Sequence, residues 1–414
     1  MSARHPVATL FVASVTAIAL TVAAGPSTLP TGHRQKLRRV PPLPHPPLDS
    51  VTELGAPLVG LTPDQLAAFE AGREEFESIE TSEGGLGPIF NDMSCASCHS
   101  GPVSGGAGTT TVTRFGRASG GHFDPLVEKG GSLLQARAIV PEAQESVPPE
   151  ANVVGQRITT PLFGAGLLEA IPDEDILQNE KRSKADSVSG RAAVITDVAT
   201  GGQRIGRLGW KAQHASLLGF AADAYLNEMG VTSRLFPDEN APNGDRALLA
   251  RVMVTTGIND PVDASGRSDI DLTADFMRLL APPPTARASA SALVGQRIFN
   301  QLNCDVCHRP TMTTGASPVA ALAYKVVPLY SDLLLHDMGE LGDGIEQGAA
   351  TGREFKTAPL WGLSARPRFL HDGRALTIAD AILAHAGEAS HARSRFARLD
   401  DESRQQLIDF LKTL

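Results

Sequence analysis

The chain has 414 residues and a formal net charge of −9, with 42% apolar and 20% charged residues. This length is enough for two or three domains with hydrophobic cores, and the composition is typical of a globular protein rather than a disordered one. The negative charge and the lack of a basic stripe in the sequence argue against a nucleic-acid partner.

Residues 1–24 are predicted to be a secretory signal peptide. Arg4 precedes an apolar stretch, Val7–Val22, and the small residues Ala23–Gly25 offer a cleavage site. The alternative is an uncleaved anchor, although the stretch is short for a membrane span. Because no later apolar stretch of spanning length follows in the sequence, we expect no stable membrane insertion after cleavage. A bacterial protein exported by such a signal would be periplasmic.

A proline-rich linker is predicted over residues 25–60. A helix is expected to begin after it, because Thr62 is a favourable N-cap and Pro63 suits the first helical position. The predicted helix contains Leu66, Phe69 and Phe76 and ends before Gly84.

All four cysteines lie in two copies of the pattern C-x-x-C-H, Cys95–His99 and Cys304–His308. This spacing is typical of c-type haem attachment, in which the thiols bond to the haem and the histidine binds the iron. We therefore predict two covalently bound haems, held by Cys95, Cys98, His99, Cys304, Cys307 and His308. A four-thiolate zinc site or a redox C-x-x-C pair is the alternative, but neither accounts for the histidine after each pair.

Similar phrases surround the two motifs. Gly87–Asn91 precedes the first and Gly295–Asn300 the second, while Thr160–Gly164 and Ala358–Gly362 follow them in the same order. An ordered repeat of this kind indicates a duplicated unit around each haem.

The proline-rich segment Ala281–Pro284 is the predicted boundary between the copies. It separates an N-terminal haem domain with insertions, 61–284, from a C-terminal one, 285–414. The chain is expected to close with a helix within Asp400–Leu414, where apolar residues recur at helical spacing. Some of the glycine-rich loops at 105–106, 120–121 and 130–131 are expected to be short hairpins.

Five segments resemble the di-haem oxidoreductase family, which is distantly related to bacterial di-haem cytochrome c peroxidases and to the tryptophan-modifying di-haem enzyme of methylamine metabolism. The segments are Leu86–His99, Thr160–Ile171, Gly206–Ala212, Leu335–Gly339 and Arg368–Arg374. The resemblance implies a mainly α fold of two cytochrome c-like helical haem domains, with glycine-rich loops and a few short strands in the middle. It also implies that one haem holds electrons while the other meets peroxide.

The distal ligand of the second haem is predicted from the same resemblance. In the relatives, a His-Asp-Gly phrase leads into a helix that carries a methionine or tyrosine ligand, and here His371–Gly373 leads to His385. Met338 is the rival ligand, because thioether ligation is common in cytochromes.

For the first haem, His122 is the candidate distal ligand, since its glycine-rich loop could approach a porphyrin and move away. Glu169 is the candidate catalytic residue, as a proton shuttle in O–O cleavage. The alternatives are a solvated loop histidine and a surface or capping glutamate.

Trp210 and Trp361 are the only tryptophans, and either could relay electrons or pack in the core. The peroxidase relatives imply a calcium ion between the domains. The carboxylates of Asp332, Asp337 and Asp343 are available, but no decisive ligand loop is evident.

These observations predict an exported di-haem oxidoreductase with peroxidase-type activity. It would exchange electrons with a soluble donor or acceptor protein and act on hydrogen peroxide or another small substrate. The alternative is a non-catalytic di-haem electron-transfer cytochrome, and a third reading is a scaffold with vestigial haems.

Overall fold

The computed structural model describes residues 51–414, except residues 52, 183 and 254–256. The predicted signal peptide, 1–24, and the predicted linker up to residue 50 lie outside the described residues. The described residues belong to one compact unit, and the division into 61–284 and 285–414 stays a prediction. None of the described helices is long and apolar enough to cross a membrane.

The helices are short and are joined by long irregular segments. They are α1 (Pro63–Glu77), α2 (Cys95–Cys98), α3 (Ala165–Glu169), α4 (Asp173–Lys181), α5 (Leu217–Ala224), α6 (Arg246–Val252), α7 (Asp269–Leu279), α8 (Ala290–Gln301), α9 (Ile378–Leu383), α10 (Ser390–Ala397) and α11 (Asp401–Leu411).

The strands form small antiparallel sheets. They are β1 (Ile89–Phe90), β2 (Thr111–Ser119), β3 (His122–Asp124), β4 (Leu133–Leu134), β5 (Arg137–Ala138), β6 (Val153–Ile158), β7 (Ala193–Thr196), β8 (Gln203–Gly206), β9 (Met312–Thr313), β10 (Val326–Val327), β11 (Leu335–Asp337) and β12 (Glu354–Lys356). The long strand β2 pairs with β3, β4 and β6, and the other sheets join β1 to β5, β7 to β8, β9 to β10 and β11 to β12.

The expectation of a mainly α fold is confirmed only in part, because the glycine-rich middle region forms a real sheet around β2. Gly120 and Gly121 make the turn between β2 and β3, and both have positive φ angles that suit glycine. One of the three glycine-rich loops is therefore a short hairpin, as expected for some of them.

Helix α1 begins as predicted. The Thr62 hydroxyl accepts a hydrogen bond from the Gln65 backbone N–H at 3.2 Å, and the Gln65 side chain accepts one from Thr62 N at 3.0 Å. This reciprocal pair is a capping box. The helix ends at Glu77, earlier than expected. Leu58, inside the predicted linker, is buried and donates its backbone N–H to Leu279 O at 2.8 Å, so this part of the segment belongs to the folded body.

Two helix pairs repeat the same packing, α1 on α7 and α8 on α11. In the first pair Gly72 lies against the backbone of α7 next to Phe276, and in the second Gly295 lies against the backbone of α11 next to Phe410. A glycine at each crossing lets the backbones approach more closely than any side chain would allow.

Four residues after each of these glycines, a phenylalanine lies beside the histidine of a C-x-x-C-H motif. The ring centroids are 6.1 Å apart for Phe76 and His99 and 6.5 Å apart for Phe299 and His308. The predicted correspondence of Gly87–Asn91 with Gly295–Asn300 does not hold, because Phe90 lies on strand β1 while Phe299 lies on α8. The repeat that the structure shows is G-x-x-x-F in α1 and α8.

Gly295→Ala is expected to destabilise the protein, although alanine is favoured over glycine by about 1 kcal/mol in a helix interior. An added Cβ would lie 1.9 Å from the Gln406 carbonyl oxygen, which belongs to the backbone of α11. Overpacking of this kind costs about 1–3 kcal/mol or more. Urea unfolding measures the loss. Gly202→Ala is the control, because its nearest atom is 3.6 Å away, and equal stability of the two variants would contradict the prediction.

Candidate functional site

Each C-x-x-C-H motif forms one turn of helix. The backbone N–H of His99 donates to Cys95 O at 3.0 Å, and that of His308 donates to Cys304 O at 2.9 Å. Residues three and four apart on a helical turn lie on the same side. Both sulfurs and the imidazole of each motif therefore face one space.

These two spaces are separate cavities, which we call the first and the second cavity. The first cavity is lined by Cys95, Cys98 and His99, together with Val112, Arg114, Arg157, Gln213, Phe220 and Glu228. The second cavity is lined by Cys304, Cys307 and His308, together with His336, Met338, Phe355, Lys356, Arg366, His371 and His385.

The chemistry of the thiols disfavours the zinc and redox alternatives. The two cysteine pairs line different cavities, and no group of three or more His, Cys, Asp or Glu side chains suited to a metal ion occurs among the described residues. Burial raises the pKa of Cys95 and of Cys304 to about 12. Buried thiols with a raised pKa are unreactive as redox pairs, and two pairs in separate cavities do not supply four thiolates to one zinc ion.

Two histidines face each other in the second cavity. Nδ1 of His308 lies 3.0 Å from Tyr330 O, and Nδ1 of His385 lies 2.7 Å from Ala381 O. A carbonyl oxygen can only accept, so each Nδ1 carries the proton and each Nε2 is left as a free electron-pair donor. Burial lowers the pKa of His308 to about 4 and lowers that of His385, which keeps both rings neutral.

The spacing of these two rings suits a metal ion between them. Their centroids are 6.5 Å apart, and two metal–nitrogen bonds of about 2.0–2.1 Å each, added to the two ring radii, nearly fill this distance. The residues of the second cavity therefore fit a haem iron, which His308 and His385 would hold. The ligand role of His385 stays a prediction.

The other candidates in the second cavity differ in character. Met338 lines the cavity, and its role as rival ligand stays a prediction. His336 is clamped between Asp332 at 3.0 Å and Glu388 at 2.7 Å. Burial opposes its protonation, but hydrogen bonds with Asp332, Cys307 and Glu388 raise the pKa of His336 to about 12. A protonated imidazole has no free electron pair for a metal ion.

In the first cavity His99 is the only histidine among the described lining residues. Burial lowers its pKa to about 4, so the ring is neutral. Backbone groups of Thr160 and Gly106 raise this pKa, but burial outweighs them. The buried Nδ1 of His99 has no hydrogen-bond partner of suitable geometry among the described residues. A neutral, buried imidazole without a partner at one nitrogen fits an iron ligand.

The structure does not bring His122 or Glu169 to this cavity. His122 is exposed at the start of β3 and does not line either cavity. Glu169 accepts hydrogen bonds from Arg278 Nε and from Leu217 N, both at 2.7 Å, and it too is absent from both linings. Its surroundings are those of a structural ion pair that joins α3 to α5 and α7.

The cavity instead contains polar residues that carried no motif in the sequence. Glu228 accepts a hydrogen bond from Asn91 Nδ2 at 2.7 Å, and burial raises the pKa of its carboxyl group. Arg114 comes from β2 and Arg157 from β6. Strand pairing brings these residues together from distant parts of the chain. A short sequence motif therefore could not have predicted that they line one cavity.

Trp210 lies between the cavities. It lines both of them, as do Ile158 and Thr159, and its indole Nε1 donates to Ile158 O at 2.9 Å. Trp361 is buried in the hydrophobic core and lines neither cavity.

The three aspartates considered for calcium are not gathered into one site. Asp332 binds His336, Asp337 binds Arg353 at 3.0 Å, and Asp343 binds Arg157 at 2.8 Å and Lys211 at 3.1 Å. The structure therefore gives no support to a calcium ion at these residues.

Comparison with known proteins gives a family match. A family model described as "Di-haem oxidoreductase, putative peroxidase" matches residues 143–414. This range contains the second motif, Trp210 and His385, and it begins after the first motif. No curated protein matches the chain.

Several solved structures show a distant likeness. Hydrazine synthase of Kuenenia stuttgartiensis has 15% identity and a TM-score of 0.39, with 95% of this chain and 100% of that chain covered. The diheme peroxidase BthA of Burkholderia thailandensis has 14% identity and a TM-score of 0.38, with 89% of each chain covered. At these TM-scores the likenesses carry no argument.

Proposed function

The chain belongs to the di-haem oxidoreductase family, and on that premise we propose that it is an exported peroxidase-type enzyme with two covalently attached haems. Cys95 and Cys98 would attach one haem and Cys304 and Cys307 the other. The observation that carries the proposal is the pair of helical turns, each of which presents two thiols and a neutral imidazole to its own cavity. A bound haem supplies a redox-active iron.

The two cavities support different roles for the two haems. The second is lined by His308 and His385, whose ring centroids are 6.5 Å apart, and a haem held by both histidines would suit an electron carrier. In the first, His99 is the one histidine among the described lining residues, and Met229 and Met277, which belong to the hydrophobic core, also line this cavity. His99 would hold the haem in the first cavity, and we assign peroxide binding to this cavity.

The proton that peroxide cleavage requires has a candidate in the same cavity. Glu228 lines it, and burial raises the pKa of this carboxyl group, which brings it closer to the operating range of a general acid–base group. Asn91 holds the carboxylate at 2.7 Å. We assign proton transfer to Glu228 rather than to Glu169.

The remaining parts of the proposal concern location and electron supply. The predicted signal peptide and the haem chemistry together favour the periplasm, where a soluble protein would deliver electrons to the second haem. Hydrogen peroxide is the substrate that the family description favours.

Electron paramagnetic resonance of the as-isolated and half-reduced protein tests the proposal, together with the intact mass. We expect a mass with two haem additions, one low-spin ferric signal, and one high-spin signal that changes on addition of hydrogen peroxide. Two low-spin signals that do not respond to peroxide would favour the electron-transfer cytochrome. A mass without haem would overturn the proposal.

Trp210→Phe is expected to slow electron exchange between the two haems, because the indole that lines both cavities is replaced by a smaller ring without a hydrogen bond to Ile158. The second haem is reduced in a stopped-flow instrument, and the rate at which the first haem then becomes reduced measures the electron exchange. Trp361→Phe is the matched control and leaves the rate unchanged. An unaltered rate in Trp210→Phe would remove this tryptophan from the route.

A further inference from the structure

Buried polar atoms without hydrogen-bond partners are concentrated at the two cavities. Seven such side-chain atoms occur among the described residues, and four of them belong to cavity-lining residues. Besides His99 Nδ1, these are Arg114 Nε and Arg157 Nη2 in the first cavity and Arg366 Nε in the second. A buried donor without an acceptor is costly, so three guanidinium groups at two haem cavities call for an explanation.

In the first cavity the two arginines share one face of the sheet. Arg157 is opposite Val112 and Arg114 is opposite Gly155 in the pairing of β2 with β6, so both side chains are on the same side. Arg157 is 4% exposed. Its Nε donates a hydrogen bond to Asp343 at 2.8 Å, and its Nη1 donates one to Gln347.

Nη1 of Arg114 donates a hydrogen bond to the Ser132 hydroxyl at 3.2 Å. Its buried Nε has no hydrogen-bond partner among the described residues. Two like charges thus lie close together on one wall of the cavity. Burial lowers the pKa of Arg157 to about 10, and Coulomb repulsion from Arg114 contributes to this lowering. An anion between them would satisfy the free donors and relieve this repulsion.

In the second cavity Arg366 is in a similar position. Its Nη2 donates to two backbone carbonyls, Pro359 O at 2.9 Å and Trp361 O at 3.2 Å, and none of its hydrogen bonds with the described residues goes to a carboxylate. Burial lowers its pKa to about 10. Lys356 lines the same cavity, and burial lowers its pKa to about 8. Arg366 and Lys356 thus add two cationic groups to the lining of this cavity.

We propose that Arg114 and Arg157 in the first cavity, and Arg366 in the second, bind the carboxylates of the haem propionate side chains. The inference rests on the proposed haem attachment. Attachment through cysteines uses the vinyl groups and leaves both carboxylates of each haem free. The guanidinium group matches a carboxylate with paired N–H donors, and such charge-assisted bonds are about twice as strong as neutral ones.

The arrangement also sets the reduction potentials. A fixed positive charge beside a haem stabilises the reduced iron, which carries one positive charge fewer, and so raises the potential. Removing one guanidinium charge therefore lowers the midpoint of the haem that it contacts and leaves the other midpoint in place.

The test is a spectroelectrochemical titration of the haem-loaded, full-length protein. Arg114→Gln is expected to shift one of the two midpoints downward, and Arg366→Gln to shift the other one. Arg114→Lys keeps the charge and is expected to retain most of the wild-type midpoint. Arg234→Gln is the matched control: Arg234 pairs with Asp271 at 2.8 Å and lines neither cavity, so both midpoints remain in place.

The propionate bending bands in the resonance Raman spectrum give a second readout. We expect these bands to shift in Arg114→Gln and Arg366→Gln and to stay unchanged in Arg234→Gln. If both variants retain two haems, and neither their midpoints nor these bands differ from the wild type, the propionate assignment is wrong while the haem proposal stands. A wild-type protein without covalent haem would instead sink the proposed function itself.

Discussion

Replacing His385 with alanine is expected to convert one haem completely from low spin to high spin. Nδ1 of His385 donates to Ala381 O, which leaves Nε2 as a free electron-pair donor, and the ring centroid lies 6.5 Å from that of His308. Alanine leaves the iron with one protein ligand, and a weak or vacant sixth position gives a high-spin centre. The measurement is the loss of the low-spin signal in the electron paramagnetic resonance spectrum.

Met338→Ala is the control for this result, because Met338 lines the same cavity and is the rival ligand. It is expected to leave the low-spin signal unchanged. The opposite pattern, with the low-spin signal intact in His385→Ala and lost in Met338→Ala, would transfer the ligand role to the methionine. Haem content by mass is checked in both variants, so that loss of haem is not mistaken for a change of ligand.

Local rules account for the parts of the fold that the sequence predicted. Thr62 and Pro63 define the start of α1 because capping depends on residues three positions apart. The closing helix α11 begins after its N-cap Asp400, and its apolar residues pack toward α8. The C-x-x-C-H turns were predictable for the same reason, since all of their geometry lies within five residues.

The remaining features depend on contacts between distant residues. His122 seemed suitable because glycine makes its loop pliable, but pairing with β2 holds it on an exposed hairpin. Glu169 had the right chemistry, yet Arg278, 109 positions away, binds it. Arg114 and Arg157 meet only because β2 pairs with β6. The G-x-x-x-F repeat gains its meaning only from the packing of α1 on α7 and of α8 on α11, which joins distant parts of the chain.

Another contact between distant residues is a buried ion cluster formed by Asp343, Arg157 and Lys211, the residue that follows Trp210. Asp343 binds Arg157 at 2.8 Å and Lys211 at 3.1 Å, and the exposure of the three side chains is 5% or less. The Lys211 ammonium also donates to Thr351 O at 2.9 Å. Burial opposes ionisation of Asp343, but the two cations lower its pKa. Its stabilising contribution is therefore present above its unfolded-state pKa and is lost as the pH falls through the lower folded-state value.

Asp343→Ala is expected to lower the free energy of unfolding by about 3–5 kcal/mol, because it leaves two cations buried without their counter-charge. Asp337→Ala is the matched control: its ion pair with Arg353 is exposed, with side-chain exposures of 45% and 65%, and such pairs contribute about 0–1 kcal/mol. Urea unfolding of both haem-loaded variants measures the difference, and equal losses would contradict it.

Asp343→Ala is also expected to alter the position of Trp210 between the two cavities. Lys211 directly follows Trp210, and Arg157 directly precedes Ile158, whose carbonyl holds the indole. Asp343 thus fixes the residues on both sides of this hydrogen bond. If Trp210 carries electrons between the haems, Asp343→Ala slows their exchange even in the fraction that remains folded, whereas Asp337→Ala leaves it unchanged. A normal exchange rate in a destabilised Asp343→Ala protein would limit this ion cluster to a purely structural role.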